Sequence, residues 1–277
     1  MKRAVVSLFL SIILLASCAV AAAPAFARIS DHATAAGYIE EMAAATGTSL
    51  DDARSLLDAL LAYEGTIPDE VVSGFMDFLD RVVVSICDEY WDDEAFADTL
   101  GDDDLVSTRG GEGGIGYGVN YGAVRAAFGD KLSDAYDWYL ELMEKHFSSY
   151  LVDDMALRPS WDGLAQFIID WTDFRLCFPR FVELDAVDSD IEFGVYLYTG
   201  CFNLDNTPVI YKNALSEEVK ASYEWFLSAP GSSEVLYYDD IAALYKVWKD
   251  NGFKYTKAVQ KFIKDFEVKL YGTEGEG

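Results

Sequence analysis

Basic residues are scarce in this chain. Lysine and arginine number 21 against 48 aspartates and glutamates in 277 residues, for a formal net charge of −27 at pH 7. A field of that sign repels nucleic acid phosphates and anionic lipid surfaces, so no nucleic acid partner is expected. Histidine is scarcer still, with only His32 and His146, and no HExxH, CxxC, GxSxG or SxxK pattern occurs. Zinc chemistry and serine-triad hydrolysis therefore lack their parts, and no metal and no cofactor are expected. Long apolar runs are absent beyond the N-terminus, so no transmembrane span is expected in the chain after residue 27.

The one long apolar run lies at the start. Lys2 and Arg3 precede an uncharged stretch from Ala4 to Ala23, followed by Pro24 and Ala25-Phe26-Ala27. A positive start, an apolar stretch and a small-x-small site predict a secretory signal over residues 1–27, with cleavage after Ala27. Leu15-Ala16-Ser17-Cys18 also resembles the bacterial lipobox, in which the cysteine is lipidated, so Cys18 is a second candidate for the mature N-terminus and would provide a lipid anchor. Either route implies a bacterial, extracytoplasmic protein: periplasmic, envelope-bound or secreted. Loss of Lys2 and Arg3 leaves 19 basic residues against 48 acids, a charge of −29. Three cysteines remain, Cys87, Cys177 and Cys201. Export permits a disulfide, with Cys177 and Cys201 the nearer pair; three reduced cysteines are the alternative.

A hydrophobic fraction of 51% is too rich for disorder, and the apolar spacing is mostly helical. Helices are expected over 32–45, from a Ser49/Asp52 capping box to Leu61, and from Thr66, with Pro68 and Asp69 in the first turn, to Tyr90. The stretch Tyr38 to Leu61, with Thr46-Gly47, Leu50-Asp51-Asp52-Ala53 and Leu57-Asp58-Ala59-Leu60, resembles the opening helical hairpin of HU-type nucleoid proteins. The basic β-arm of that family is absent, so the resemblance implies a helical hairpin and no function. Nine acids and no base lie between Asp88 and Asp104, and a glycine-rich stretch follows from Arg109 to Gly122. That stretch reads as a connector and not a phosphate loop, since no lysine follows it until Lys131.

Further on, Asp130 is expected to cap a long amphipathic helix and Ser160 another. His146 borders the first helix's apolar stripe and reads as a packing residue. Ile191, Phe193, Val195 and Leu197 then alternate with Glu192, Gly194, Tyr196 and Tyr198, which predicts a β-hairpin over about 180–200, turning at Asp188-Ser189-Asp190. Three helices follow, over 216–226, 235–250 and 253–271. The fold class is thus mainly α: a helical bundle-like architecture with one small antiparallel β-hairpin in the C-terminal half. The expected division is a helical subdomain over 28–100, an acidic, glycine-rich linker over 101–122, a second helical subdomain over 123–271 and a mobile tail over 272–277.

The acidic runs do not spell a calcium loop, because Phe193 stands where an EF-hand after Asp188 needs glycine. Paired carboxylates remain. Asp173, Glu183, Asp185, Asp190 and Glu192 are the candidates, placed where a helix meets the expected hairpin, as in lysozyme-like clefts. Seven of the twelve lysines fall between Lys246 and Lys269, and Lys254, Lys257, Lys261 and Lys264 share one helical face. That face is expected to lie near the chain's own acidic run, with an anionic partner as the alternative. The functional expectation is an exported, non-catalytic protein binding an unknown protein, an envelope component or a small ligand; the alternative is a carboxylate-dependent glycan hydrolase.

Overall fold

The computed structural model describes residues 49–111, 114–147 and 151–272, together with Gly37, Glu40, Met42 and Ala44. Residues 1–27, over which a signal is expected, with Cys18 among them, as well as His32 and the last five residues, lie outside the described residues, while those four isolated positions are all helical. The chain is mainly helical, with small two-stranded antiparallel sheets. It divides into two units, one ending at Asp137 and one beginning at Trp138.

In the first unit, α1 (Leu50–Leu61) starts at the expected capping box: Asp52 N donates to Ser49 Oγ at 3.2 Å and Ser49 N donates to Asp52 Oδ2 at 3.0 Å. Its stripe of Ala53, Leu56, Leu57 and Leu60 is buried. α2 (Asp69–Tyr90) follows Pro68, and the acids Asp69 and Glu70 complement its N-terminal dipole. Val72, Phe75, Phe78, Leu79 and Val82 are fully buried along one broad face of this helix. A short helix, α3 (Glu94–Ala97), is capped by Asp93 Oδ1, which accepts from Ala95 N and Phe96 N.

The glycine-rich stretch read as a connector is instead an antiparallel hairpin, β1 (Val106–Gly111) and β2 (Gly114–Val119). Its glycines make room. A Cβ at Gly118 would lie 1.9 Å from Arg109 Nε, so only glycine lets the arginine side chain cross the strand. The hairpin is clasped to the end of α2, where Asp92 N donates to Ile115 O and Ile115 N donates to Asp92 Oδ1. α4 (Tyr121–Phe128) is capped by Asn120 and ends at Gly129, whose φ is +54°. Asp130 therefore caps nothing long. The backbone turns extended at Leu132, and Ser133 Oγ accepts from Tyr136 N to start α5 (Asp134–Phe147).

In the second unit, β3 (Val152–Asp153) and β4 (Ala156–Leu157) form a hairpin whose turn residues, Asp154 and Met155, both have positive φ, as a two-residue type I′ turn requires. α6 (Trp161–Cys177) begins at Ser160, whose Oγ accepts from Gly163 N, as expected. α7 (Leu184–Tyr198) replaces the hairpin expected over 180–200. Val187, Ile191, Val195 and Tyr198 recur at helical spacing and are fully buried, as is Leu197 on an adjoining side. A helix buried on more than one side is apolar on alternate positions too, and that imitated a strand. Gly194 permits its close approach to α6, since a Cβ there would lie 2.9 Å from Phe167 Cε1.

The remaining hairpin is β5 (Ile210–Tyr211) with β6 (Ala214–Leu215), turning at Lys212 and Asn213. α8 (Glu217–Phe226), α9 (Tyr238–Asp250) and α10 (Lys257–Tyr271) complete the unit. Tyr198, Tyr223, Phe226 and Trp248 are buried in its core, where Tyr223 donates to Tyr198 O at 2.7 Å. No helix among the described residues is long and apolar enough to cross a membrane.

Candidate ligand site

Within the second unit, the end of α5 and α6 bring together side chains that are far apart in sequence. The last turn of α5 presents Lys145 and His146, and the polar edge of α6 presents Gln166 and Asp170 one turn apart. Asp170 Oδ2 accepts from Lys145 Nζ at 2.5 Å and lies 2.8 Å from His146 Nε2, while Oδ1 accepts from Gln166 Nε2 at 2.8 Å. Burial pushes the Asp170 carboxyl up, but the hydrogen bonds from His146, Lys145 and Gln166 outweigh it and hold the group below the usual carboxylate range. The carboxylate stays ionised and orients the imidazole, whose ring also meets Phe167 edge-on at 5.1 Å.

Beside this cluster is a cavity of about 160 Å³. Its polar lining is Lys145, His146 and Arg158, and its apolar lining is Leu151, Pro159 and Phe167. The carboxylates that pair with these bases, Asp170 and Asp153, are not part of the lining. Gly163, in the first turn of α6, also faces it, so the positive end of that helix dipole adds to the same potential. A chain of net charge −27 thus surrounds one small space with basic groups. Such a space suits a small anion, held by charge-assisted hydrogen bonds.

No family model, no curated protein and no solved structure matches this chain. Any functional reading rests on its own residues.

The carboxylates singled out in the sequence are dispersed. Asp173 lies on α6, where burial and then the charges of Asp170 and Glu234 raise its pKa. Glu183 precedes α7, Asp185 is in its first turn, and Asp190 and Glu192 follow on the same helix. Residues two apart on a helix point about 200° away from each other, so Asp190 and Glu192 face different sides. Glu192 accepts from Tyr237 Oη at 3.1 Å. Burial pushes the half-buried Asp190 up to about 7. The strand wall expected beside these groups is itself the helix that carries them.

Cys87, Cys177 and Cys201 are all free. Arg175 pairs with Asp188 and Trp161 meets Tyr198, so α6 and α7 run antiparallel. Cys177 therefore lies where α7 begins, and Cys201 lies past its other end. A 15-residue helix is roughly 22 Å long, and a disulfide bridges Cα atoms no more than about 7 Å apart. Proximity in sequence was misleading because α7 separates the two cysteines.

Lys254, Lys257, Lys261 and Lys264 are exposed. Lys261 pairs with Asp265 within its own helix, and the other three have no ion-pair partner among the described residues. Among the described residues no group of three or more histidines, cysteines or carboxylates is arranged to hold a metal ion. The sequence reading missed Lys145, Gln166, Asp170 and Arg158, and took His146 for packing alone. The available signal was modest: a basic pair ending an acidic helix, and Gln166 four residues before Asp170 on the next.

Proposed function

We propose that this chain is an exported bacterial envelope or secreted protein that binds a small anion, a phosphate or short carboxylate, in the cavity between the end of α5 and the start of α6, without transforming it. Export rests on Lys2, Arg3 and the Ala25–Ala27 site. Binding rests on a single observation: Lys145, His146 and Arg158 line a cavity from which their carboxylate partners are excluded. The glycan hydrolase alternative retains one carboxyl suited to an acid role, Asp190, while its neighbour on α7, Glu192, faces another side of the helix.

Calorimetry on the secreted form tests the reading. Orthophosphate, acetate and succinate are titrated into the parent protein and into a Lys145→Gln, Arg158→Gln variant. Saturable binding of one anion, weakened tenfold or more in the variant, is expected. Equal heats for both proteins would reject the site, and release of reducing ends from peptidoglycan would favour the hydrolase.

A further inference from the structure

The basic face of α10 is not a lone stripe. Lys257, Lys261 and Lys264 follow one another along the exposed side of the helix, over roughly 10 Å. Lys254 precedes them, and its backbone bridges to Ala214 of β6. Tyr255 N donates to Asn213 O at 2.9 Å, and Leu215 N donates to Phe253 O at 2.9 Å. These bonds fix the β5–β6 turn alongside the start of α10. The turn carries exposed Lys212, whose Nζ lies 4.8 Å from the ring centroid of Tyr211, and that tyrosine is 55% exposed. The fold thereby adds a fifth lysine and a solvent-facing aromatic ring, from about forty residues upstream, to the four lysines read from sequence. Of these five lysines, only Lys261 has a carboxylate partner among the described residues.

We propose that this ridge docks the protein onto an anionic bilayer surface. The chain's overall negative charge does not forbid it. At physiological ionic strength charges are screened beyond about 8 Å, so the lysines facing the lipid act while acids on the far side do not. Polybasic faces are drawn to anionic headgroups, and tyrosine favours the headgroup layer, where its ring is buried and its hydroxyl stays wet. A soluble polyanion would use the lysines but leave the exposed Tyr211 ring without a role, which favours lipid. The proposal is independent of the anion cavity.

Cosedimentation with vesicles separates the outcomes. Vesicles of phosphatidylglycerol and phosphatidylcholine should retain the protein at physiological ionic strength, vesicles of phosphatidylcholine alone should not, and high salt should release it. Changing Lys254, Lys257, Lys261 and Lys264 to glutamine should reduce retention at least tenfold with an unchanged melting curve. Tyr211→Ser should reduce it several-fold while keeping every charge. If the quadruple variant loses stability, Tyr211→Ser alone provides the test. Retention independent of lipid charge, no retention at physiological ionic strength, insensitivity to both variants, or binding to a soluble polyanion but not to vesicles would each overturn the proposal.

Discussion

His146 and Asp170 are 24 residues apart in sequence, and their side chains meet at 2.8 Å. This contact joins the end of α5 to the middle of α6 and sets the imidazole at the wall of the cavity. It also links stability to protonation. The folded-state pKa of Asp170 lies below its unfolded value, so its contribution is present above the unfolded carboxylate range and is lost as pH falls through the folded value. Asp170→Asn leaves Lys145 and His146 side by side without their shared carboxylate. Since Lys145 is half-exposed, solvent moderates the effect, and a loss on the order of 1–3 kcal/mol at pH 7 is expected. Urea denaturation at pH 7 and pH 3 measures it. An unchanged midpoint at pH 7 would contradict the role given to this contact.

Asp190 has the opposite sign. Burial raises its folded pKa to about 7, and it has no hydrogen-bond partner among the described residues. Between the unfolded value and about 7 the folded state holds more protons than the unfolded one, so stability falls as pH rises through that window. Asp190→Asn should therefore stabilise the protein at pH 8, by an amount on the order of 1–3 kcal/mol, and change little at pH 4. A parallel melting-temperature profile of the two proteins from pH 4 to pH 8 would refute this.

Gly194→Ala tests the approach of α7 to α6. Alanine in a helix interior is favoured over glycine by about 1 kcal/mol. The new Cβ would, however, meet Phe167 Cε1 at 2.9 Å and Ile168 Cγ1 at 3.1 Å. Overpacking costs about 1–3 kcal/mol, so the net effect is expected to be destabilising by about 1 kcal/mol. A stabilised variant in chemical denaturation would show that the two helices can part without cost.

The thiols should differ in reactivity. Cys177 is exposed, whereas burial raises the Cys201 thiol to about 11 and its Sγ donates to Ile263 O. Thiolate is the reactive form, so native alkylation at pH 8 should label Cys177 well before Cys201. Peptide mapping after short labelling reads this directly. Recovery of a peptide pair joined through Cys177 and Cys201 would contradict the separation across α7.

Much of the helical fold was legible because its signals are local. The Ser49–Asp52 box, Pro68 and the Ser160 cap act within one turn of their helices, and the buried stripe of α1 follows the 3.6-residue period. What failed depended on surroundings. The 180–200 segment alternates like a strand because α7 is covered on more than one side, and no window of its own residues records that cover. The Arg109–Gly122 glycines look like a connector until Arg109 is seen lying across Gly118.

The candidate site was less legible than the fold. Sequence by itself determined a mainly helical, strongly acidic chain and placed a basic face on its last helix, because charge, composition and helical period are properties of residues and their near neighbours. The cavity, the Asp170 cluster and the joining of Tyr211 and Lys212 to Lys254 were decided only by tertiary structure. Each depends on backbones tens of residues apart being held within hydrogen-bond reach, and that proximity is set by packing of the whole unit rather than by any local pattern.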